Sequence, residues 1–237
     1  MDDFKHGDLE SRPKFLPTKE TLEHTREIIP QGETFWRARI KNEDIPAEKS
    51  KQEDESGPAP PGKPSNGRMN PPGISYLYIA SDPRTSITEI RPKVGDKVWL
   101  GEFKTKRALK ISNLQDIPSL NPQSIFDDKW SQYNILQEHA LATIGKEISL
   151  PTKNNAPETE YLLTQILSEY ISSLGFDGIR YPSSLTNHGY NIVLFCTKHT
   201  RHPNWHQFNN HIRSYKDDVE FVKITTRTIK EITIVSD

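Results

Sequence analysis

Between Gly67 and Pro92 the chain reads GRMNPPGISYLYIASDPRTSITEIRP, and three kinds of chemically useful side chain fall inside it. Arg68 and Asn70 sit in a turn framed by Gly67 and Gly73, whose backbone freedom permits tight reversals on either side. Such a turn can hold the guanidinium at the mouth of the strand that follows. A planar, permanently charged fork suits a phosphate or pyrophosphate. Tyr76 and Tyr78 lie on that strand. Glu89 belongs to a helix that Asp82 opens as N-cap and Pro83 as first helical residue. Ile87 and Ile90 share the buried face of that helix, and Glu89 is turned about 200° from Ile87 at 100° per residue, toward a cleft or toward water. The plain alternative is a surface arginine and a solvated glutamate, and spacing alone does not choose between the two.

Other segments add candidates. In FWRARI, Arg37 and Arg39 are two apart on a strand and face one side, with Trp36 on the other. Surface arginines are common, so this pair carries little by itself. GIRYPSSL contributes Arg180, Ser183 and Ser184; a serine after Tyr-Pro at a strand end can bond a ligand or cap a turn. No Gly-x-Ser-x-Gly elbow with a histidine partner exists, which argues against a serine hydrolase. The segment CTKHTRHPNWHQFNNH offers Cys196, His199, His202, His206 and His211, but not at zinc-binding spacing and with one cysteine, so no metal is expected.

These residues need a scaffold, and the hydrophobic pattern supplies one. Strands are predicted over Glu33–Ile40, Ser75–Ser81, Lys97–Lys104 and RALKISNL, with two more in FDGIRYPSS and GYNIVLFC. Helices are predicted over Asp82–Pro92, Trp130–Ile144 and Pro157–Leu174; in the last, Leu162, Leu163, Ile166, Leu167, Tyr170 and Ile171 repeat at helical spacing and Gly175 supplies the stop. A β-branched, alternating tail, VEFVKITTRTIKEITIVSD, reads as one or two edge strands. The order gives a single mixed α+β domain. Residues 1–30 read as an N-terminal extension, with a helical candidate near Thr18–Ile29, and 31–237 as the domain. Within it, 41–66 is Pro-, Glu-, Lys- and Ser-rich and reads as a flexible loop. Residues 196–237 read as a polar segment followed by edge strands.

Composition narrows the class. Net charge is -1, and 33% of the 237 residues are hydrophobic. Mean hydropathy is -0.74 and the pI about 6.7. There is no global field to attract nucleic acid or anionic lipid. No apolar run approaches a membrane span, no signal-peptide core is present, and one cysteine builds no disulfide framework. The expectation is a cytoplasmic protein that binds neither membrane nor, by itself, nucleic acid.

Taken in order, FWRAR, GRMNPPGISYLYIASDPRTSITEIRP, ETEYLLTQILSEYISSLGFDGIRYPSSL and GYNIVLF resemble the RES family, named for its arginine, glutamate and serine. The resemblance implies a variant of the ADP-ribosyltransferase fold, with central antiparallel or mixed strands and flanking helices. It implies a toxin-like enzyme that consumes NAD by hydrolysis or phosphorolysis, without metal, and that is paired with an Xre-type antitoxin; a homo-oligomer is left open. Transfer of ADP-ribose to a macromolecule and a non-catalytic nucleotide-binding module are the alternatives. Matched block by block, the resemblance puts the catalytic roles on Arg37, Tyr78, Glu89 and Ser183. It puts dinucleotide binding on Arg68, Arg39, Asn70, Tyr76 and Ser184, with Arg39 as the alternative to Arg37 and Ser184 to Ser183. Glu89 would stabilise an oxocarbenium-like state, the arginines would clamp the pyrophosphate, and Tyr78 would stack on nicotinamide or bond a ribose hydroxyl.

Overall fold

The computed structural model describes residues 16–41, 43–59, 67–70, 74, 76–115, 139–145, 148, 161–197 and 213–231. The chain forms an α+β domain around one eight-stranded mixed sheet. Its strands are β1 (Arg26–Ile29), β2 (Thr34–Ile40), β3 (Leu77–Ala80), β4 (Lys97–Thr105), β5 (Leu109–Asn113), β6 (Gly178–Pro182), β7 (Tyr190–Leu194) and, after a two-residue pair β8 (Cys196–Thr197) and β9 (Arg213–Ser214), β10 (Val219–Thr228). Their spatial order is β1-β5-β6-β7-β3-β2-β4-β10. Only β5 and β6 run parallel; the other neighbours in this sheet are antiparallel.

The central strands are covered on both faces, as their continuous apolar runs require. On β7, Val193 enters one core cluster with Leu167, Ile171 and Ile179. Its neighbours Ile192 and Leu194 enter another with Leu77, Ile79, Phe103 and Phe221. The period of two thus distributes one strand between two cores. A third cluster joins Ala38, Val98 and Leu100 to Ile87 and Ile90.

The sheet has a seam. β2 pairs with β4 along its whole length, from Thr34–Lys104 to Ile40–Val98. β3 pairs with β7 from Leu77–Leu194 to Ala80–Asn191. Between β2 and β3, however, the register is a single rung, Trp36 with Ala80. The two parts of the sheet splay apart from that rung, and side chains occupy the gap.

Helices flank the sheet: α1 (Lys19–His24), α2 (Lys49–Ser56), α3 (Pro83–Glu89), α4 (Leu162–Ser173) and α5 (Tyr215–Asp218), with a further helical segment at 139–145. Asp82 caps α3, accepting from Thr85 N at 2.8 Å, with Pro83 as its first residue. Gly175, at φ 80°, follows the C-terminal end of α4. An ion-pair cluster ties the β4–β5 turn to two distant segments, with Arg107 donating to Asp177 and Asp218. Both aspartates push the Arg107 pKa above its ordinary value against the cost of burial, Asp177 contributing most.

Four sequence expectations need correction. The extension 1–30 does not stand apart from residue 16 onward. β1 forms the edge of the sheet on β5, Leu22 and Ile29 are buried, and Thr25 hydrogen-bonds Ser112 at 2.8 Å. The 41–66 loop contains α2. This helix is polar throughout, so composition concealed it; tertiary charge contacts hold it instead, with Glu55 accepting from Lys41 at 2.8 Å and Glu53 pairing with Lys216 at 3.1 Å. On α4 the expected apolar stripe is buried only in part, through Leu167 and Ile171. Leu162 and Leu163 are 53% and 63% exposed, while Gln165, Ser168 and Ser172 are buried. That face docks on the Gly67–Asn70 turn, whose carbonyls need donors. The strand expected from Ser75 begins at Leu77. Within the predicted helix Trp130–Ile144, residues through 138 lie outside the described residues, as do residues 198–212 with His199, His202, His206 and His211.

Among the described residues, no helix is long and apolar enough to cross a membrane. Among the same residues, no group of three or more His, Cys, Asp and Glu side chains could hold a metal ion.

Candidate active site

The seam between β2 and β3 opens into a cleft of about 370 Å³, lined by Trp36, Arg37, Arg68, Tyr78, Glu89, Tyr181 and Asn191 among others. Residues of β2, the Gly67–Arg68 turn, β3, α3, β6 and β7 reach it.

Glu89 ends α3. Packing of Ile87 and Ile90 against Ala38, Val98 and Leu100 fixes the rotation of the helix and turns Glu89 the other way, to the cleft. Two neighbours then hold its carboxylate. The Ser183 hydroxyl donates to Glu89 Oε1 at 2.7 Å, and Asn191 Nδ2 donates to the same oxygen at 2.8 Å. Both donors are buried, whereas Glu89 itself keeps contact with solvent. Among the described residues no donor engages Oε2, so one oxygen is anchored and the other is left for chemistry.

Ser183 directly follows β6 and Asn191 lies on β7, and the antiparallel register of these strands sets Tyr181 opposite Asn191. The connection between them folds back: Ser183 N donates to Gly189 O at 3.0 Å, and Leu185 N donates to Ser183 Oγ at 3.2 Å. It is also fastened to α3, since Thr85 and Thr186 hydroxyls lie 3.0 Å apart. Gly189 is required there, because an added Cβ would fall 1.9 Å from Thr85 Oγ1. Neither candidate serine is among the residues lining the cleft; Ser183 reaches Glu89 by its hydrogen bond, whereas Ser184 is exposed.

The opposite wall is cationic. Arg37 is half-buried in the seam, and its Nη1 donates to Tyr78 O at 3.3 Å. Burial, reinforced by the nearby Arg39 charge, pushes the Arg37 pKa down to about 9. A guanidinium keeps its proton under ordinary conditions, so this depression reflects the cost of placing a cation in the seam with no carboxylate bonded to it among the described residues. Arg39 points along the same face, donates to Gly57 O, and is likewise lowered by burial, partly offset by Glu55. Arg68 lines the cleft from the turn, with Nη1 donating to Ile148 O.

That turn is built as tightly as its sequence suggests. Tyr78 OH donates to Asn70 Oδ1 at 2.8 Å and accepts from Met69 N at 3.3 Å. Asn70 Nδ2 donates to Ile74 O at 2.7 Å, and Gln165 Nε2 reaches Gly67 O and Asn70 O, each at 3.1 Å. A Cβ on Gly67 would fall 1.8 Å from Asn70 Oδ1. The Tyr78 hydroxyl is therefore occupied, and burial raises its pKa; its ring, not its OH, is what the cleft receives. Asn70 is fully buried and fastens the turn, while Tyr76 is a core residue whose ring packs 5.3 Å from that of Phe195. Arg180 is held away from the site, bonding Glu27 at 2.7 Å and lying 3.7 Å over the Tyr190 ring.

Three lining residues were not singled out from sequence. Trp36 was assigned to the core, and Tyr181 was read only as part of a strand. Asn191 carried a usable signal: it is the one amide in the apolar run NIVLF, and a buried amide needs a partner.

The sequence model of the RES domain family matches residues 34–213, about three quarters of the chain. No curated protein matches it significantly. The matched span contains every segment that lines the cleft, including both anchors of Glu89. An anchored carboxylate in a cleft that half-buried arginines also line can hold an anionic substrate while stabilising positive charge that develops beside it.

Proposed function

Because the chain belongs to the RES domain family, we propose that its cleft binds NAD⁺ and breaks the bond between nicotinamide and ribose. The observation that carries this reading is the pairing of Ser183 and Asn191 on one oxygen of Glu89, across the cleft from Arg37 and Arg68. In NAD⁺ the pyridinium nitrogen is a cationic leaving group. When the bond to C1″ breaks, its electron pair goes to that nitrogen, and nicotinamide departs neutral without needing an acid. The ribose is left oxocarbenium-like, as in glycoside cleavage. Glu89, held in one orientation by its two donors, places negative charge beside that centre before the charge forms, so no reorganisation is needed. Arg37 and Arg68 hold the pyrophosphate, a role that also relieves the cost of burying the Arg37 charge. The faces of Tyr78 and Tyr181 offer flat surfaces for the nicotinamide ring. Attack by water then yields ADP-ribose and a proton; attack by phosphate yields ADP-ribose 1″-phosphate. An Xre-type antitoxin is the partner this reading carries with it.

Mass spectrometry of the products formed from NAD⁺, with and without phosphate, tests the proposal. Free ADP-ribose, ADP-ribose 1″-phosphate or a modified protein band distinguishes hydrolase, phosphorylase and transferase. NAD⁺ unchanged after long incubation with folded protein, in the absence of any antitoxin, would overturn it.

A further inference from the structure

A second cavity, of about 520 Å³, adjoins the cleft and shares Arg37, Gly67 and Tyr78 with it. Arg39, Lys41 and Tyr76 line only this second space, while Glu89 and Asn191 line only the first. Arg37 and Arg39 alternate on β2, and Lys41 follows its last residue in the same alternation, its N–H still bonded to Lys97 O at 3.0 Å; the three share a face, in a row about 13 Å long at about 3.3 Å per residue. No acidic residue is among the described residues lining the cavity. Among the described residues, the carboxylate bonded to the row is Glu55 of α2, on Lys41 at 2.8 Å. Two buried polar atoms here have no hydrogen-bond partner among the described residues, Arg39 Nε and the Tyr76 hydroxyl. Buried donors are seldom left unpaired, and a charged one least of all.

A pyrophosphate is a compact dianion that one or two guanidinium forks saturate. Arg37 and Arg68 suffice for it, and the row continues beyond them. We propose that Arg39 and Lys41 recognise a further phosphoryl group, the 2′-phosphate on the adenosine ribose, so that the preferred dinucleotide is the phosphorylated one, NADP⁺. The inference rests on the proposed cleavage reading, with the reacting ribose against Glu89. From there the dinucleotide must run past Arg37 into the second cavity, which places its adenosine half beside Arg39 and Lys41. Inorganic phosphate has the same chemistry but does not fit the place. As a nucleophile it must come within about 3–3.5 Å of C1″, and that carbon belongs in the first space, which Arg39 and Lys41 do not line.

Titration calorimetry with two fragments tests this without turnover: ADP-ribose and its 2′-phosphorylated form. The wild type is expected to bind the phosphorylated fragment at least about tenfold more tightly, as one added charge-assisted contact implies. Arg39→Gln and Lys41→Gln should each bring that ratio toward one. Should Arg39→Gln fail to fold, Lys41→Gln decides, since Lys41 sits at the end of β2 with its side chain 28% exposed. Equal affinity of the wild type for both fragments would overturn the inference, as would a ratio that survives both substitutions. So would a phosphate-stimulated NAD⁺ cleavage that Lys41→Gln abolishes, because the row would then serve free phosphate. Binding of ADP-ribose with no preference sinks this inference alone. Binding of neither fragment, with no cleavage of NAD⁺, sinks the enzyme reading and this one with it.

Discussion

Glu89→Gln separates charge from shape at this site. Both donors to Glu89 converge on Oε1, Ser183 at 2.7 Å and Asn191 at 2.8 Å. A glutamine can present its own Oε1 to both, so the anchoring survives and only the negative charge is lost. At about 4 Å and an effective dielectric of about 20, a unit charge pair is worth about 4 kcal/mol. Losses of single preorganised groups in comparable sites fall at about 2.7–4 kcal/mol, or 10²–10³ in rate. Glu89 keeps contact with solvent, which screens its charge, so the lower end applies: kcat should fall about 10²-fold. Ground-state binding should change less than kcat, because the positive charge is spread over the pyridinium ring before the bond breaks and concentrates on the ribose only in the transition state. The assay is nicotinamide release at saturating NAD⁺, with NAD⁺ affinity from calorimetry and melting temperature as the check on folding. A melting temperature within about 2 °C of wild type, together with kcat within about threefold of it, would refute the assignment of the charge to Glu89. If kcat and affinity fell together, the glutamate would be a binding residue and the transition-state argument would fail.

Three further outcomes are expected. Arg68→Lys keeps the charge but not the fork, and should weaken NAD⁺ binding by about 1–3 kcal/mol while leaving cleavage of nicotinamide riboside, which lacks the pyrophosphate, nearly unaffected; equal damage to both substrates would make Arg68 a structural residue. Gly67→Ala drives a methyl into Asn70 Oδ1, 1.8 Å away, and should cost at least about 2 kcal/mol in urea unfolding, a loss that a freely accommodating turn would not show. Burial works against the Asp82 charge, but hydrogen bonds from Thr85 and Ser81 outweigh it and hold the carboxyl below its ordinary value. Its stabilising contribution is therefore complete above that ordinary value and lost as pH falls through the lowered one, so the melting-temperature gap between wild type and Asp82→Asn should be widest near neutrality and close below about pH 4; a gap that is constant with pH would show that the charge is irrelevant to the cap.

Local rules made much of this protein legible. Asp82–Pro83 as a helix start, Ile87 and Ile90 as its inner face, and hence Glu89 as its outward residue all follow from dihedral preferences and helical period, which act within a few residues. Gly67 marked its tight turn for the same reason, since only a residue without Cβ fits there. The mixed α+β class and the long edge strand β10 likewise follow from alternation of apolar residues. Whatever depended on partners remote in sequence was not legible. The polar helix α2 is seated by partners remote in sequence, among them Lys41 and Lys216 on its glutamates and Arg39 on the Gly57 carbonyl, contacts that composition cannot register. On α4 the buried face takes in Gln165 beside Leu167 and Ile171, because its amide bonds carbonyls nearly one hundred positions away, while Leu162 and Leu163 stay exposed. Asn191 became an anchor of Glu89 only through the register of β7 with β3 and β6. The single rung between Trp36 and Ala80 opens the cleft itself. Strand pairing and splay are long-range properties, decided by how two covered sheet faces pack, so Arg37, Arg68, Tyr78 and Glu89 could be singled out in the sequence, while the cleft that they line, with Trp36, Tyr181 and Asn191, could not.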